Sequence, residues 1–379
     1  GGTSLHALEM IVRVSDACRV AVPESLAFTM RTVAELAAEI DARTEADGFS
    51  SGLATIPVLV DEPHALSQGE EALLYEWRRD PTDRRYNVAR LYRVPAGYDR
   101  ARFDAAIRAV VEHQPTLHTS YGLHRSSLPV DQALQISAER SESASLGVLA
   151  DRLNEQPFDL VHGPIMTVHH LESASSDDVG APAILLRTHH IVSDAGSLDV
   201  LWEQIDLAYR GEPLPDIAST YAAHGAWQRS RELDPSCVWP VDPENPPGEL
   251  ALRTPQSEPD GYVHLAAPIS NDALRQGPGT TPFATALTAL AIAMAPYHTK
   301  DEFEISVTSS LRDHPAVANV VGYFLNPLPL LLRVDPELTG ATLATEVSDL
   351  LAQTLEHRSV PFASIVKSAR DRDVPAPSS

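Results

Sequence analysis

The sequence predicts an α+β protein: a short helical segment, then two lobes in which strands and helices are mixed. Three observations carry that prediction. The first forty-odd residues set apolar side chains at helical spacing, Leu5, Leu8, Ile11 and Val12, then Val33, Leu36, Ala37 and Ile40. Beyond Pro57 the period changes: residues 88–94 alternate as a strand, and 103–112 read as an amphipathic helix. With 379 residues, 43% of them hydrophobic, the chain is long and apolar enough for two packed domains or more.

Taken in order, Ser4 caps the first helix, and Thr32-Val33-Ala34-Glu35 is a capping box that starts the next. A bundle this small, short of a first helix, is marginal alone. We take 1–43 as this partial bundle and 44–57, rich in Ala, Gly, Ser and acids, as a linker. The first lobe is 58–220. It opens with a helix over 67–77, carrying Ala72, Leu73 and Leu74, before the strand and helix already named. The apolar run 183–186 then reads as a buried strand ending in a tight turn. After the turn, Leu198, Leu201, Ile205 and Ala208 lie on one helix face, and Gly211 and Pro213 stop that helix. The second lobe is 221–379. Thr281-Pro282 puts proline in the first turn of a helix that runs through 293. Residues 304–308 and 328–332 read as strands, 343–355 as a helix, and the Pro/Ser-rich end after Val374 as frayed. No internal repeat or low-complexity tract is visible.

Charge and composition exclude several function classes. A net charge of −23, from 29 basic and 52 acidic residues, argues against nucleic acid or an anionic membrane as the main partner and serves solubility. Two cysteines, Cys18 and Cys237, form no CxxC pair, which argues against a disulfide scaffold or zinc site and fits a cytoplasmic protein. No apolar run approaches the roughly 20 residues of a membrane span, and no signal peptide is visible in a chain that starts without Met.

The densest chemistry lies in Thr188-His189-His190-Ile191-Val192-Ser193-Asp194-Ala195-Gly196-Ser197. Alternation along a strand sends His189 and His190 to opposite sides. One can face a cavity as a base or proton relay while the other is structural, and Asp194 can fold back to fix the turn. His169-His170 is a second diverging pair with no third ligand at metal spacing, so no metal is expected.

This segment resembles the HHxxxDG motif of acyltransferases that act on thioesters. Gly1-Gly2-Thr3-Ser4-Leu5 resembles the serine motif of peptidyl carrier proteins. Glu112-His113-Gln114-Pro115-Thr116-Leu117-His118-Thr119 resembles, with departures, a segment written RHExLRT. Pro157-Phe158-Asp159-Leu160 with Gly163-Pro164 resembles PFDL…GP, Val321-Gly322-Tyr323-Phe324-Leu325-Asn326 resembles GFFVN, and Val360-Pro361-Phe362 matches a late VPF element. In this order they resemble a nonribosomal peptide synthetase fragment: a peptidyl carrier protein followed by a condensation domain. The resemblance implies a two-lobed, V-shaped fold like chloramphenicol acetyltransferase, with the active site between lobes and further strands past Ser379.

It also implies roles. Ser4 carries covalent 4'-phosphopantetheine. His190 is catalytic, with His189, Asp194, Ala195, Gly196 and His118 in support. His118 stands where the family's arginine pairs with the motif aspartate, leaving either a pH-dependent His118–Asp194 pair or none. Ala195 replaces the motif glycine; its N–H remains available to an oxyanion, and a left-handed backbone there would cost alanine about 1 kcal/mol or more. Asn326 either lines the tunnel or turns the chain before Pro327, and Arg312 orients the lobes. Tyr323 and Phe324 read as core, and Ser67-Gln68, similar to the first condensation motif, as a helix cap.

The implied activity is peptide-bond formation. A donor thioester on the upstream carrier passes to the amine of a downstream aminoacyl-carrier domain. Adjacent adenylation domains and a phosphopantetheinyl transferase are the other implied partners; no metal or nucleotide takes part. Two rivals remain. An epimerisation domain shares HHxxxDG but continues with an SWR-like segment, where Ser197-Leu198-Asp199-Val200-Leu201 stands here. A non-catalytic, partner-recruiting relative usually lacks the second histidine, which His190 retains.

Overall fold

The computed structural model describes residues 32–47, 66–95, 97–122, 124–174, 182–231, 233–251, 280–312 and 314–378, with isolated positions between 10 and 30. Ser4 and linker positions 48–57 lie outside the described residues. Helix α1 (Val33–Asp47) starts at the predicted capping box: the Glu35 N–H donates to Thr32 Oγ1 at 3.2 Å, and the Thr32 N–H to Glu35 Oε2 at 3.0 Å. It runs past the predicted linker start because 43–47, Arg-Thr-Glu-Ala-Asp, contains no helix breaker; the first glycine is Gly48.

The chain divides into two compact units: 55–232 with 314–325, and 1–54 with 233–313 and 326–379. In the first unit, α2 (Gln68–Arg79) precedes β1 (Asn87–Arg93) and α3 (Arg100–His113). The ribbon β2 (Thr119–Tyr121) and β3 (Arg125–Ser127) leads through one helical turn, α4 (Val130–Ala133), into β4 (Leu134–Ser141) and α5 (Leu146–Asn154). Then come β5 (Met166–Ser173), β6 (Ala183–His189), α6 (Ala195–Arg210) and α7 (Tyr221–Ser230).

The main sheet has the order β1-β6-β5-β4, antiparallel except for the parallel pair β4–β5. All seven residues of β6 are buried; the first four form the apolar run 183–186, and Arg187, Thr188 and His189 are buried polar residues at its end. The pleat divides its neighbours by period two. Met166, Val168, Ile184 and Leu186 join the core containing α3 and α6, whereas Leu171, Ala183 and Leu185 pack with Leu146, Leu149 and Leu153 of α5. The sequence reading missed β4 and β5. Strand β5 carries polar side chains into buried positions on both faces, which erases its alternation. His169 bonds Ser137 and Thr167, while His170 bonds Tyr98 (2.5 Å) and Asp104 (2.7 Å).

The boundary expected at 220 falls inside this unit. Helix α7 and the segment 314–325 both belong to it, because the Tyr221 side chain is buried and hydrogen-bonded there.

The second unit contains α8 (Pro282–Met294), capped by Thr281, then β7 (Glu302–Ser310), β8 (Leu325–Arg333), α9 (Gly340–Glu356) and α10 (Phe362–Asp371). Phe303, Leu328, Leu330 and Leu332 of the β7–β8 pair pack on Leu287, Ala291, Leu343, Val347 and Leu351. The stretch 375–378, expected to be frayed, is held. The Trp239 indole donates to the Pro375 carbonyl at 2.8 Å, and the Ser378 N–H donates to the Glu304 carboxylate at 2.9 Å. No helix among the described residues is long and apolar enough to cross a membrane.

Candidate active site

Strand β6 ends at His189, one 3₁₀ turn covers His190–Val192, and α6 begins at Ala195. His189 is 1% exposed and accepts the Ile191 N–H through Nδ1 at 3.1 Å, which caps the turn. Burial, aided by the neighbouring His190, lowers its pKa to about 4, so it is neutral at pH 7. His190 is half-buried. Its backbone N–H donates to the Tyr86 carbonyl (2.8 Å), and its Nδ1–H to the Ser193 carbonyl (2.9 Å). A carbonyl only accepts, so that bond puts the neutral ring's proton on Nδ1 and the lone pair on Nε2. Among the described residues no hydrogen bond to Nε2 is found. The Tyr323 ring stands against this imidazole, centroids 5.6 Å apart and planes at 74°.

Asp194 is the N-cap of α6 and is buried. Its Oδ1 accepts the Ser197 N–H at 2.6 Å and its Oδ2 the Phe324 N–H at 2.8 Å, so one carboxylate ties the turn to the GFFVN-like segment. Ala195 is the first residue of that helix and not among the positive-φ positions, so the left-handed strain considered for alanine does not arise. Ala195 and Gly196 are exposed on the first turn, where unpaired backbone N–H groups and the helix dipole favour a developing negative charge. His118, half-buried before β2, meets Ser127 Oγ through Nδ1 at 3.3 Å. Neither this contact nor those of the Asp194 carboxylate joins His118 to Asp194.

Other side chains, given no such role by the sequence, complete the anchoring of 319–324. The Ser197 hydroxyl donates to the Gly322 carbonyl (2.6 Å) and accepts the Gly322 N–H (3.1 Å). Gln114 donates to Gln204 Oε1 (2.9 Å) and the Asn319 carbonyl (2.7 Å) and accepts the Val321 N–H (3.0 Å); Gln204 donates to the same Asn319 carbonyl at 2.9 Å. Tyr221 Oη donates to the Tyr323 carbonyl at 2.7 Å; its single proton being spent there, it accepts from Ser67 Oγ at 2.9 Å. A Cβ on Gly322 would lie 2.3 Å from Tyr221 Cδ2, so only glycine fits. We expect Gly322→Ala to lower stability by about 1–3 kcal/mol, the usual cost of overpacking; an unchanged urea midpoint would refute the tight approach.

Behind these anchors, Ser67 and Glu70 form a reciprocal capping box on α2. Glu70, wholly buried, also accepts from Tyr121 Oη at 3.0 Å and pairs with Arg125 at 3.1 Å. Burial raises the Glu70 pKa, and the Arg125 charge opposes it. The Ser-x-x-Glu spacing at 67–70 signals the box, but nothing in the sequence signals Arg125.

Within the second unit, Asn326 is buried and does more than turn the chain. Its Nδ2 donates to the carbonyls of Arg358 (2.9 Å) and Val360 (2.7 Å), and its Oδ1 accepts the Phe362 N–H at 3.1 Å. Both ends of the amide are engaged in clamping the VPF element. Arg312 follows β7 and is half-buried; its backbone N–H donates to Ser310 Oγ at 3.2 Å.

Burial, reinforced by the charges of Arg187 and His170, also lowers His169 to about 4. The unfolded chain protonates His169 and His189 near the ordinary histidine value of 6.5, whereas the folded chain resists until about 4. Their contribution is therefore fully present above pH 6.5 and lost as pH falls toward 4. Urea midpoints measured across this window should drop on acidification, with a shallower slope in His169→Gln. A flat profile would contradict the burial argument.

The chain is 25% identical over 395 residues to tyrocidine synthase 2 of Brevibacillus parabrevis, covering 97% of this chain and 10% of that protein. It is 22% identical over 398 residues to gramicidin S synthase 2 of Brevibacillus brevis, covering 97% of this chain and 8% of that protein. The chain thus spans a tenth or less of either relative's length. Among solved structures, a four-domain nonribosomal peptide synthetase bound to AMP and glycine shares the fold. Its TM-score is 0.68 at 18% identity, covering 86% of this chain and 26% of that one. The first condensation domain of the CDA synthetase gives 0.64 at 17% identity, covering 80% and 77%. The family model described as "Condensation domain" matches residues 71–236 and 272–375, most of the chain, and the chain therefore belongs to the condensation-domain family.

Proposed function

We propose that this condensation domain forms a peptide bond by joining an acyl thioester to an amine, with His190 as the proton-handling residue. The observation that carries the reading is the Nδ1–H bond to the Ser193 carbonyl, which leaves Nε2 as an acceptor on the turn that leads into α6. The amine nitrogen attacks the thioester carbonyl carbon, the C–N bond forms, and the C–S bond breaks. Nε2 takes the proton that the amine sheds and returns it to the departing thiolate. The N–H groups of Ala195 and Gly196 are placed on the helix turn that would steady the carbonyl oxygen as it gains charge. Likeness to the tyrocidine and gramicidin S synthases supports the same reaction.

The finer assignment follows the sequence resemblance. Residues 1–43 are the upstream carrier, and the acceptor amine sits on a downstream aminoacyl carrier. Adenylation domains and a phosphopantetheinyl transferase complete the system. Bound to Ser4, 4'-phosphopantetheine supplies the thioester sulfur and a flexible tether; Ser4 lies outside the described residues, so this rests on the Gly1-Gly2-Thr3-Ser4-Leu5 run.

The test is an assay on the protein loaded at Ser4 with a peptidyl thioester and mixed with an aminoacyl carrier. Intact mass reads extension while solvent deuterium reads exchange at the donor α-carbon. Extension is expected. Exchange without extension would replace the reading with epimerisation, and neither signal from a folded, loaded protein would point to partner recruitment.

A further inference from the structure

Each of residues 322–324 has its backbone held by a side chain, with three different side chains sharing the work. Ser197 Oγ holds both polar atoms of Gly322, Tyr221 Oη holds the Tyr323 carbonyl, and Asp194 holds the Phe324 N–H. The side of the Tyr323 ring is fixed as well, because a Cβ on Gly69 would lie 2.8 Å from Tyr323 Cδ1 and the ring therefore rests on bare backbone of α2. Such backing exceeds what a filler of the core requires. What Tyr323 meets in turn is His190, in an edge-to-face contact at 5.6 Å.

The His190 imidazole needs that contact. The one hydrogen bond from Nδ1 sets the tautomer and must break if the ring swings about its broad, two-fold side-chain torsion, and a single such bond opposes that swing only weakly. A wall at the ring removes the swing. We infer that Tyr323 is the positioning residue that holds the His190 imidazole with Nε2 available, and that Tyr221, through the Tyr323 carbonyl, sets where that wall stands. The inference rests on the amide-forming reading above for its kinetic consequence, but not for its structural one. Tyr323 acts through His190, and the ring rather than the phenol oxygen does the work.

The experiment combines ¹⁵N labelling of histidine rings, with His190→Ala as the assignment control, and saturation kinetics on the carrier-loaded protein. Tyr323→Ala should broaden or mix the His190 ring signals. It should also lower kcat by about 10- to 100-fold, the scale expected for misplaced catalytic groups, with KM for the acceptor carrier little changed. Tyr323→Phe should restore both readouts. Tyr221→Phe, which removes one oxygen, should shift the His190 signals part of the way and serves if the alanine variant does not fold. Unchanged His190 signals in Tyr323→Ala or, where that variant does not fold, in Tyr221→Phe would overturn the inference whatever the rate. Altered signals together with full activity in His190→Ala would sustain the positioning role and remove the catalytic reading instead.

Discussion

Replacing His190 with alanine is expected to lower amide formation by about 10²- to 10⁴-fold, the range supplied by a positioned acid–base group. Stability should hardly change. His190 is half-buried, and its Nδ1 satisfies only a local carbonyl that solvent can serve in its absence. His189→Ala should behave in the opposite way. That ring fills a buried place beside Tyr86 and Phe158 and caps the Ile191 N–H, so its loss should be felt first as a lower melting temperature. Thermal melts and single-turnover extension assays on the two variants would separate these roles. Equal kinetic losses at equal stability would show that the two histidines are not divided as the geometry divides them.

Removing the Arg125 side chain as Arg125→Ala is expected to cost about 3–5 kcal/mol, because it strands a buried carboxylate without its cation. Glu70 is wholly buried, and Arg125 is 5% exposed in the ion pair, so water cannot readily take the place of the guanidinium. The sign with pH is a check. Glu70 already has a raised pKa from burial, and losing Arg125 removes a lowering influence. A carboxyl whose folded pKa lies above its unfolded value binds more protons folded, so its penalty is relieved as pH falls and grows as pH rises. The deficit of Arg125→Ala relative to the parent should therefore shrink on acidification. The double variant Glu70→Gln/Arg125→Met should recover much of the loss, since neither charge is then buried. A deficit that is pH-independent, or a double variant no better than the single one, would mean that the pair does not act as a pair.

These features differ in how far they could be read from the chain. The histidine turn was legible because its local signals are strong, an apolar run followed by small residues and an aspartate able to fold back on the turn, although its bonds to 322–324 were not. The capping box at Thr32 and the helix cap at Ser67 were legible because their signals are local. Strand β5 was not, because its polar residues take buried partners from other elements and so carry no period. Gln114 lay inside a segment singled out for resemblance, yet its work, holding Asn319 and Val321, depends on residues distant in sequence. Asn326 shows the reverse case. Its motif marked it as special, but the amide is committed to the backbone at 358, 360 and 362, which only the folded chain brings within reach.

The shared carboxylate of Asp194 bears on recombination. Residues 188–197 look like a self-contained cassette that could be exchanged between relatives. They are not, since Asp194 and Ser197 each hold backbone of 322–324, and Gly322 must clear Tyr221. A chimera whose crossover falls between these stretches would join a donor turn to a recipient segment that never evolved with it. Functional hybrids should therefore inherit Gln114, residues 188–204, Tyr221 and residues 319–324 from one parent, and crossovers that respect this block should yield more active clones than those that split it.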